Sequence, residues 1–349
     1  MKEGRVIGFE ALLRWQHPEE ELLYPDSFLP LLHHDKTLMV LLGEWVFKTA
    51  FRQYALWREH GFSFGLSINM SAHEFKEPKM FTLIQGLLKE YAINPEAIEL
   101  EILETSALED MKKAKEMIQR YKALGLRIAL DDFGTGYSTL SYLKELPVDT
   151  LKIDKSFVID MLHDSGSFSI LEAAMGLADA FRCDVVAEGV ESIEHGTMLV
   201  QLGFRYAQGY AIAKAMPAQS VMDWVNHYEG FTEWQKIHCS MVDKNLIFAS
   251  IEHCHWFHML QNHVTDPKHN ARPELNSSLC RFGEWMNKDA KKSYRNTEAL
   301  SLLESLHEQI HTKAQAMVMQ KTDEASRLKT LEEIQNLHRN IVYHIKQLS

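Results

Sequence analysis

The chain has 349 residues, of which 46% are hydrophobic and 24% are charged, and its formal net charge is −11. These values are typical of a globular protein and exclude a disordered one; no apolar run approaches the roughly 20 residues of a membrane span, and the first residues do not resemble a signal peptide. Because the four cysteines are too few and too unevenly placed for a disulfide framework, we expect a cytoplasmic protein without membrane insertion.

Charge is divided unevenly along the chain. Residues 1–230 carry 22 Lys and Arg against 34 Asp and Glu, whereas residues 231–349 carry 15 against 14 and hold ten of the eighteen histidines. The acidity of the first part argues against a nucleic-acid-binding surface there. Because the length exceeds that of one usual core, we expect two domains, at 1–232 and 233–349.

Strand-like and helical segments alternate in the first two thirds of the chain. The helical segments carry apolar residues at three- and four-residue spacing and lie at 36–59, 73–90, 106–123, 165–181 and 191–202. The strand-like segments are 5–15, 66–71, 98–104, 127–133, 150–154, 184–190 and 206–212. This alternation favours a TIM-type (β/α) barrel, whose chemistry lies at the carboxyl ends of the strands.

Nearly every one of these strands ends on a carboxylate or an amide. The side chains are Glu10, Asn69, Glu101, Asp131, Asp132, Asp154, Glu188 and Gln208, with Lys152 among them. So many like charges cannot share a small space unless cations neutralise them. Carboxylate and amide oxygens favour Mg²⁺ or Mn²⁺, so the sequence predicts an oxygen-lined divalent-metal site with two ions.

Seven ordered motifs resemble the EAL family of cyclic di-GMP phosphodiesterases over residues 5–217. They are EALLRW at 10–15, NMS at 69–71, ELEILE at 99–104, DDFGTGYSTL at 131–140, LKID at 151–154, AEGVE at 187–191 and QGY at 208–210. The resemblance implies a two-metal hydrolysis of cyclic di-GMP to linear pGpG, in a homodimer.

The same resemblance implies the metal ligands and the catalytic pair. One divalent ion falls to Glu10, Asn69, Glu101 and Asp131, and a second falls to Asp131 with Asp132. Lys152 then orients or polarises the attacking water, and Glu188 acts as base or as a ligand of metal-bound water.

Substrate contacts and a loop anchor follow from the same motifs. The resemblance implies that Arg14 binds a phosphate, that Gln208 and Asp154 contact substrate, and that Glu104 anchors the loop at 133–140. Two alternatives stay open: Arg14 as a structural salt-bridge partner, and Lys152 with Asp154 as a simple ion pair.

The chain departs from the family in two places. Leu103 stands where the family has a threonine; since both flanking acids remain, we expect tuning rather than loss. The family also opens with a helix and a strand carrying a YQP-like motif, whereas Met1–Gly4 already matches the following hairpin turn. We therefore expect the first barrel strand to be missing, through a truncated start or a gap that another subunit covers.

After residue 233 no strand pattern remains, and four long helical stretches predict a four-helix bundle. They lie at 234–263, 274–293, 295–320 and 322–348.

The bundle carries a second set of motifs. HCHW at 253–256, CRFGEW at 280–285 and HEQIH at 307–311 resemble the chemoreceptor zinc-binding (CZB) family. The resemblance implies one Zn²⁺ held by His253, Cys280, His307 and His311, and a thiolate with imidazoles suits tetrahedral zinc. Cys254, His255 and His258 lie within reach on the same helix, but we do not expect them to be ligands. We expect Trp256 and Trp285 to pack in the core and Gly283 to permit a close helix approach.

Two functional classes fit these features. One is a phosphodiesterase regulated by a zinc-sensing module; the other is a non-catalytic receptor that binds cyclic di-GMP and zinc. Appearance of pGpG after incubation with cyclic di-GMP and magnesium separates them. Within the first class, zinc either controls the activity of the barrel (gating) or only stabilises the bundle (a structural staple).

Overall fold

The computed structural model describes residues 1–32, 34–108, 110–136, 143–237, 241–266, 270–294, 298–319 and 324–345. They form two compact units. The first comprises 1–155, 173–196 and 204–236, and the second comprises 156–172, 197–203 and 237–349. The domain boundary after residue 232 stays a prediction.

The first unit is built on a parallel sheet of seven strands. The strands in chain order are β1 (Gly8–Ala11), β2 (Trp15–Gln16), β3 (Leu22–Leu23), β4 (Gly65–Asn69), β5 (Ile98–Leu103), β6 (Arg127–Phe133), β7 (Thr150–Ile153), β8 (Asp184–Ala187) and β9 (Tyr206–Ala207). The sheet order is β1-β4-β5-β6-β7-β8-β9, and β2 pairs with β3 as a separate antiparallel ribbon. Because helical crossovers join these parallel strands, the predicted α/β, TIM-type fold class is confirmed.

The two edge strands come together at their carboxyl ends. Within the described residues β1 pairs with β4 alone and β9 with β8 alone, so the edge that the expected missing strand would cover carries no ladder. Gln208, directly after β9, nevertheless donates a hydrogen bond to Glu10 of β1, with Nε2 and Oε2 2.6 Å apart. The sheet therefore curves enough to bring residues from both edges into one site.

The helices that alternate with these strands along the chain follow the predicted apolar spacing. They are α1 (Pro25–Leu32), α2 (Lys36–Glu59), α3 (Ala72–Lys76), α4 (Pro78–Glu90), α5 (Glu104–Leu108), α6 (Met111–Ala123), α7 (Lys155–Asp160), α8 (Ser165–Phe181), α9 (Ile193–Leu202), α10 (Val221–His227) and α11 (Thr232–Gln235). The segment predicted as one helix at 73–90 is two. Glu77 caps α4, whose first residue is Pro78, and a proline lacks the backbone N–H that would continue α3.

A tryptophan secures the last segment of the first unit. Trp234 is 1% exposed, and its Nε1 donates to the backbone oxygen of Ile193 at 3.1 Å. A Cβ on Gly196 would lie 2.0 Å from Cζ2 of this ring. The indole therefore needs a glycine at the start of α9.

Gly196→Ala should lower the free energy of unfolding by about 1–3 kcal/mol, because the added methyl group overpacks this contact. Gly86→Ala is the matched control: Gly86 lies within α4, and a Cβ there meets nothing within 4 Å. That change should raise stability by up to about 1 kcal/mol. Denaturant unfolding of both variants measures the difference, and equal midpoints would contradict the packing argument.

From residue 241 onward, the second unit forms a helical bundle, as predicted. Its helices are α12 (Met241–Thr265), α13 (Arg281–Trp285) continued through a π turn at Met286–Ala290 into α14 (Lys291–Ser293), α15 (Glu298–Met319) and α16 (Glu324–Ile345). The second helix begins at residue 281, not 274 as predicted, because Cys280 caps it by accepting a hydrogen bond from the backbone N–H of Gly283. No helix in the described part of the chain is long and apolar enough to cross a membrane.

Candidate functional site

Four carboxylates at the barrel mouth share one lysine. Lys152, on β7, is 3% exposed, and its Nζ lies 2.7 Å from Glu101 and from Glu188. The same nitrogen lies 3.4 Å from Asp131 and 3.5 Å from Glu10. One ammonium group cannot balance four carboxylates, so the site carries an excess of negative charge that suits cations.

Hydrogen bonds hold Glu10 in place at this mouth. Asn69 donates to its Oε1 and Gln208 to its Oε2, each at 2.6 Å. Burial alone disfavours the charged form, but Lys152 and these two amides outweigh burial and lower the pKa of Glu10. Glu10 is therefore held ionised, as a metal ligand must be.

A bulge in β6 places two consecutive aspartates in the same site. In a regular strand Asp131 and Asp132 would point to opposite faces. The pairing register of β6 shifts between Leu130 and Phe133, and Asp132 has a φ of +54°. As a result, the carboxylates of Asp131, Asp132 and Glu188 come within 4.8 Å of one another, and together they can hold a divalent ion.

Burial makes the other acids of this mouth harder to ionise in the absence of a cation. Burial raises the pKa of Glu101 well above its ordinary value and raises that of Asp131. Burial also raises the pKa of Glu188 to about 7. Oδ1 of Asp131 forms the 3.4 Å ion pair with Nζ of Lys152, but it accepts no hydrogen bond of good geometry among the described residues. A divalent ion bound here would offset the cost of ionising these buried acids.

Two further predicted residues, Asp154 and Arg14, have different surroundings. Burial raises the pKa of Asp132, and the neighbouring charges of Asp131 and Asp154 add to this rise. The guanidinium of Arg14 lies 4.6 Å from the ring centre of Tyr24. No ion pair found among the described residues involves Arg14, so the structural salt bridge has no support there.

Glu104 holds the start of the loop after β6. It is fully buried, and its Oε2 accepts a hydrogen bond of 3.0 Å from the backbone N–H of Gly134. A Cβ on Gly136 would lie 3.3 Å from Oε1 of the same carboxylate. Residues 137–140 of the predicted loop lie outside the described residues. Leu103, which replaces the family threonine, is 42% exposed.

The pKa of Glu188 predicts how stability without metal depends on pH. Because the folded-state pKa of about 7 lies above the ordinary value of 4.5, its contribution is complete below about 4.5 and is lost as pH rises through about 7. The free energy of unfolding of the metal-free protein should therefore fall by on the order of 3 kcal/mol between about pH 5 and pH 8. The melting temperature should fall over the same range. Mg²⁺ should remove most of this fall, and Glu188→Gln should make the metal-free profile shallower; the raised pKa values of Glu101 and Asp131 leave the rest of the slope. A wild-type profile with no such slope contradicts the assignment.

Three of the four predicted zinc ligands meet in the bundle. Cys280, His307 and His311 are buried, and one ligand atom from each lies within 4.8 Å of the others. Cys280 Sγ is 3.2 Å from Nε2 of His307. His307 and His311 lie one turn apart on α15, so both face the start of α13.

The fourth, His253 on α12, lies beside this group without joining it. Its ring centre is 6.0 Å from that of His307, and its Nε2 is buried with no hydrogen-bond partner in the described residues. Nε2 of His311 is also buried with no hydrogen-bond partner in the described residues. Orphaned buried nitrogens are costly, and a bound metal would use both lone pairs. The four residues therefore fit a zinc ion.

The lowered pKa values of the histidines keep their imidazoles neutral, which is the form that binds a metal ion. Burial lowers the pKa of His253 well below its ordinary value and lowers that of His307 to about 3. Burial raises the pKa of the Cys280 thiol to about 11, against hydrogen bonds from Gly283 and Phe282. Zinc binding must therefore release the thiol proton.

Two of the three neighbouring residues on α12, His255 and His258, are engaged elsewhere or exposed. Nδ1 of His255 is 3.3 Å from the backbone oxygen of His163, and His258 is exposed. Trp256 and Trp285 are buried in the bundle core, as predicted. A Cβ on Gly283 would lie 1.8 Å from the backbone oxygen of Ser277 and 3.2 Å from His307, which confirms the predicted close approach.

One residue of this centre was missed by the sequence analysis. His338 of α16 lies with its Nδ1 2.9 Å from Nδ1 of His253. It lies on the same face of α16 as Ile334, Ile341 and Ile345, and these three isoleucines are buried. The signal that could have found it is a histidine at an apolar position of a helix, in the histidine-rich C-terminal part of the chain.

Comparisons with known proteins match both parts of the chain. Residues 1–215 match the family model of the EAL domain, and residues 253–318 match that of the chemoreceptor zinc-binding domain. MucR of Pseudomonas aeruginosa, a bifunctional diguanylate cyclase/cyclic di-GMP phosphodiesterase, is 38% identical over 221 residues, which are 63% of this chain and 32% of MucR. The cyclic di-GMP phosphodiesterase PdeR of Escherichia coli is 37% identical over 225 residues, 64% of this chain and 34% of PdeR. The chain thus spans about a third of the length of these curated relatives.

Solved structures are similar over the same part. The PaMucR phosphodiesterase in complex with c-di-GMP has a TM-score of 0.61 and 37% identity, and the match covers 63% of this chain and 89% of that one. The EAL enzyme Bd1971, in its cAMP- and cyclic-di-GMP-bound form, has a TM-score of 0.60 and 30% identity, covering 63% and 61%.

Proposed function

Because this chain belongs to the EAL domain family over residues 1–215, we propose that its barrel hydrolyses cyclic di-GMP to linear pGpG. The observation that carries this proposal is the convergence of four carboxylates on Lys152 at the strand ends. A similar structure, at 37% identity, is a phosphodiesterase in complex with c-di-GMP.

The acids and amide of the mouth are the proposed metal ligands. Mg²⁺ or Mn²⁺ suits their oxygens, and bound ions of this kind stabilise phosphate charge and lower the pKa of water. One ion falls to Glu10, Asn69, Glu101 and Asp131, and a second to Asp131 and Asp132.

Lys152 and Glu188 have different proposed roles toward the attacking water. Four acids raise the pKa of Lys152 against the effect of burial, so its ammonium stays charged and orients water rather than accepting a proton. Glu188, with a pKa of about 7, suits the role of base. The water oxygen bonds to phosphorus as its proton passes to Glu188, and the bond from phosphorus to the 3′-oxygen breaks. The released 3′-oxygen takes up a proton from solvent and becomes the 3′-hydroxyl of pGpG.

Substrate recognition falls to residues around the cluster. The planar guanidinium of Arg14 suits a phosphate, while Gln208 and Asp154 are proposed to contact the nucleotide. Glu104 keeps the loop after β6 in position through Gly134.

The direct test is incubation of the purified chain with cyclic di-GMP, with and without Mg²⁺, followed by chromatography of the nucleotides. Formation of pGpG that requires the ion supports the enzyme. Binding of cyclic di-GMP without any cleavage would instead identify a receptor, the alternative function.

For the bundle, we propose that one Zn²⁺ bound by His253, Cys280, His307 and His311 regulates the barrel. Support comes from the meeting of three ligands and from the orphaned nitrogens of His253 and His311. Soft ligands in the bundle and oxygen ligands in the barrel keep the two sites chemically distinct. The homodimer and the cytoplasmic location stay predictions.

A further inference from the structure

His338 approaches the zinc ligands from a helix outside the matched zinc-binding segment, which ends at residue 318. Its ring lies 4.4 Å from that of Phe257, with 12° between the planes, so it is held against α12 by an aromatic face. One of its nitrogens, Nδ1, lies 2.9 Å from Nδ1 of His253, and the other, Nε2, lies 4.0 Å from Sγ of Cys254.

The contact between the two histidines is a hydrogen bond in the plane of both rings. The planes differ by 5° and the ring centres are 5.1 Å apart, whereas the Nδ1 atoms are only 2.9 Å apart. Rings stacked face to face would not combine a wide centre separation with so short a nitrogen contact. The bond therefore joins ring edges, and one Nδ1 must carry the proton.

The surroundings decide which nitrogen donates. If Nε2 of His253 carried the proton, a buried donor would have no acceptor among the described residues. With the proton on Nδ1, His253 donates to His338 and keeps a lone pair on Nε2. That lone pair is what a metal needs, and ligating histidines usually donate their other N–H in this way.

We propose that His338 is a positioning residue of the zinc centre: its Nδ1 accepts the Nδ1–H of His253 and so fixes the tautomer and ring plane that leave Nε2 free for zinc. This rests on the proposed zinc site, and it assigns α16 a role in that site. Zinc affinity then depends on the packing of α16 against α12.

Zinc affinity of the full chain tests this directly, measured by competition with a chelating dye. His338→Leu removes the acceptor and keeps apolar bulk against Phe257, and it should weaken zinc binding by about 10–100-fold. His338→Gln keeps an oxygen that can accept the same bond, so its affinity should stay within a few-fold of wild type. His344→Leu, on the same helix, is the matched control and should bind zinc as wild type does.

A second readout separates positioning from simple packing. Nitrogen NMR of the metal-free protein should show His253 with its proton on Nδ1 in wild type and a mixture of tautomers in His338→Leu. Wild-type affinity in His338→Leu overturns the proposal, as does an equal loss in the Leu and Gln variants with an unchanged tautomer. If wild type itself binds no zinc, the zinc site proposed above fails, and that result is distinct.

Discussion

Asp131→Asn is expected to abolish hydrolysis of cyclic di-GMP. Asp131 is the acid assigned to both ions, and its carboxylate lies within 4.8 Å of those of Asp132 and Glu188. The amide has the same shape but lacks the charge. Losing several kcal/mol of stabilisation by bound metal, at 1.36 kcal/mol per tenfold change in rate, corresponds to a fall in kcat of about 10³-fold. The rate of pGpG formation at saturating Mg²⁺ measures it.

Stability without and with metal gives an independent readout of the same change. Burial raises the pKa of Asp131 despite the 3.4 Å ion pair with Lys152, so removing its charge should leave the metal-free melting temperature equal or higher. The rise that Mg²⁺ produces in wild type should be lost. Asp179→Asn, an exposed position on α8, is the control and should match wild type in both measurements. Retained hydrolysis in Asp131→Asn would falsify the two-metal assignment.

The strand ends were predictable because their chemistry is local. Each acid or amide follows its own apolar strand, and the fold brings carboxyl ends together whatever the side chains are. Lys36–Glu59 was predicted to the residue for a similar reason: Asp35 caps the helix by accepting from the backbone N–H groups of Thr37 and Leu38.

What the sequence could not predict depends on contacts distant in the chain. The bulge that places Asp132 beside Asp131 arises from pairing with β7, not from the residues themselves. His338 looks like any histidine until α16 lies against α12, where it meets His253. The late start of α13 depends on Cys280, whose residue type does not mark it as a helix cap.

Cys280→Ala is expected to remove zinc from the bundle altogether. Structural zinc contributes about 10–16 kcal/mol of apparent binding free energy in small metal-dependent domains, and the thiolate is the one sulfur in the proposed ligand set. The bundle should then melt earlier, and a chelator should have no further effect. Metal analysis of the purified chain, with calorimetry, measures both results.

Cys280 also caps α13, so the loss of the cap has to be separated from the loss of zinc. Its sulfur accepts from the backbone N–H of Gly283 at 3.3 Å, and removing a cap costs about 0.5–2 kcal/mol. Cys280→Ser keeps a good capping side chain but is a poor zinc ligand, so it should lose zinc with less destabilisation. Cys254→Ala, a change in the neighbouring thiol, should retain zinc.

Hydrolysis rates then decide whether zinc gates the barrel or only staples the bundle. The ligands come from three helices, α12, α13 and α15, so zinc binding changes how these helices pack. If zinc gates the enzyme, a chelator selective for zinc over magnesium should change the rate of wild type and leave Cys280→Ala unaffected. Equal hydrolysis by wild type and variant in both conditions, with earlier melting of the variant's bundle alone, would leave only the staple. Oxidation of the Cys280 thiolate should release zinc and give the same outcome as the substitution.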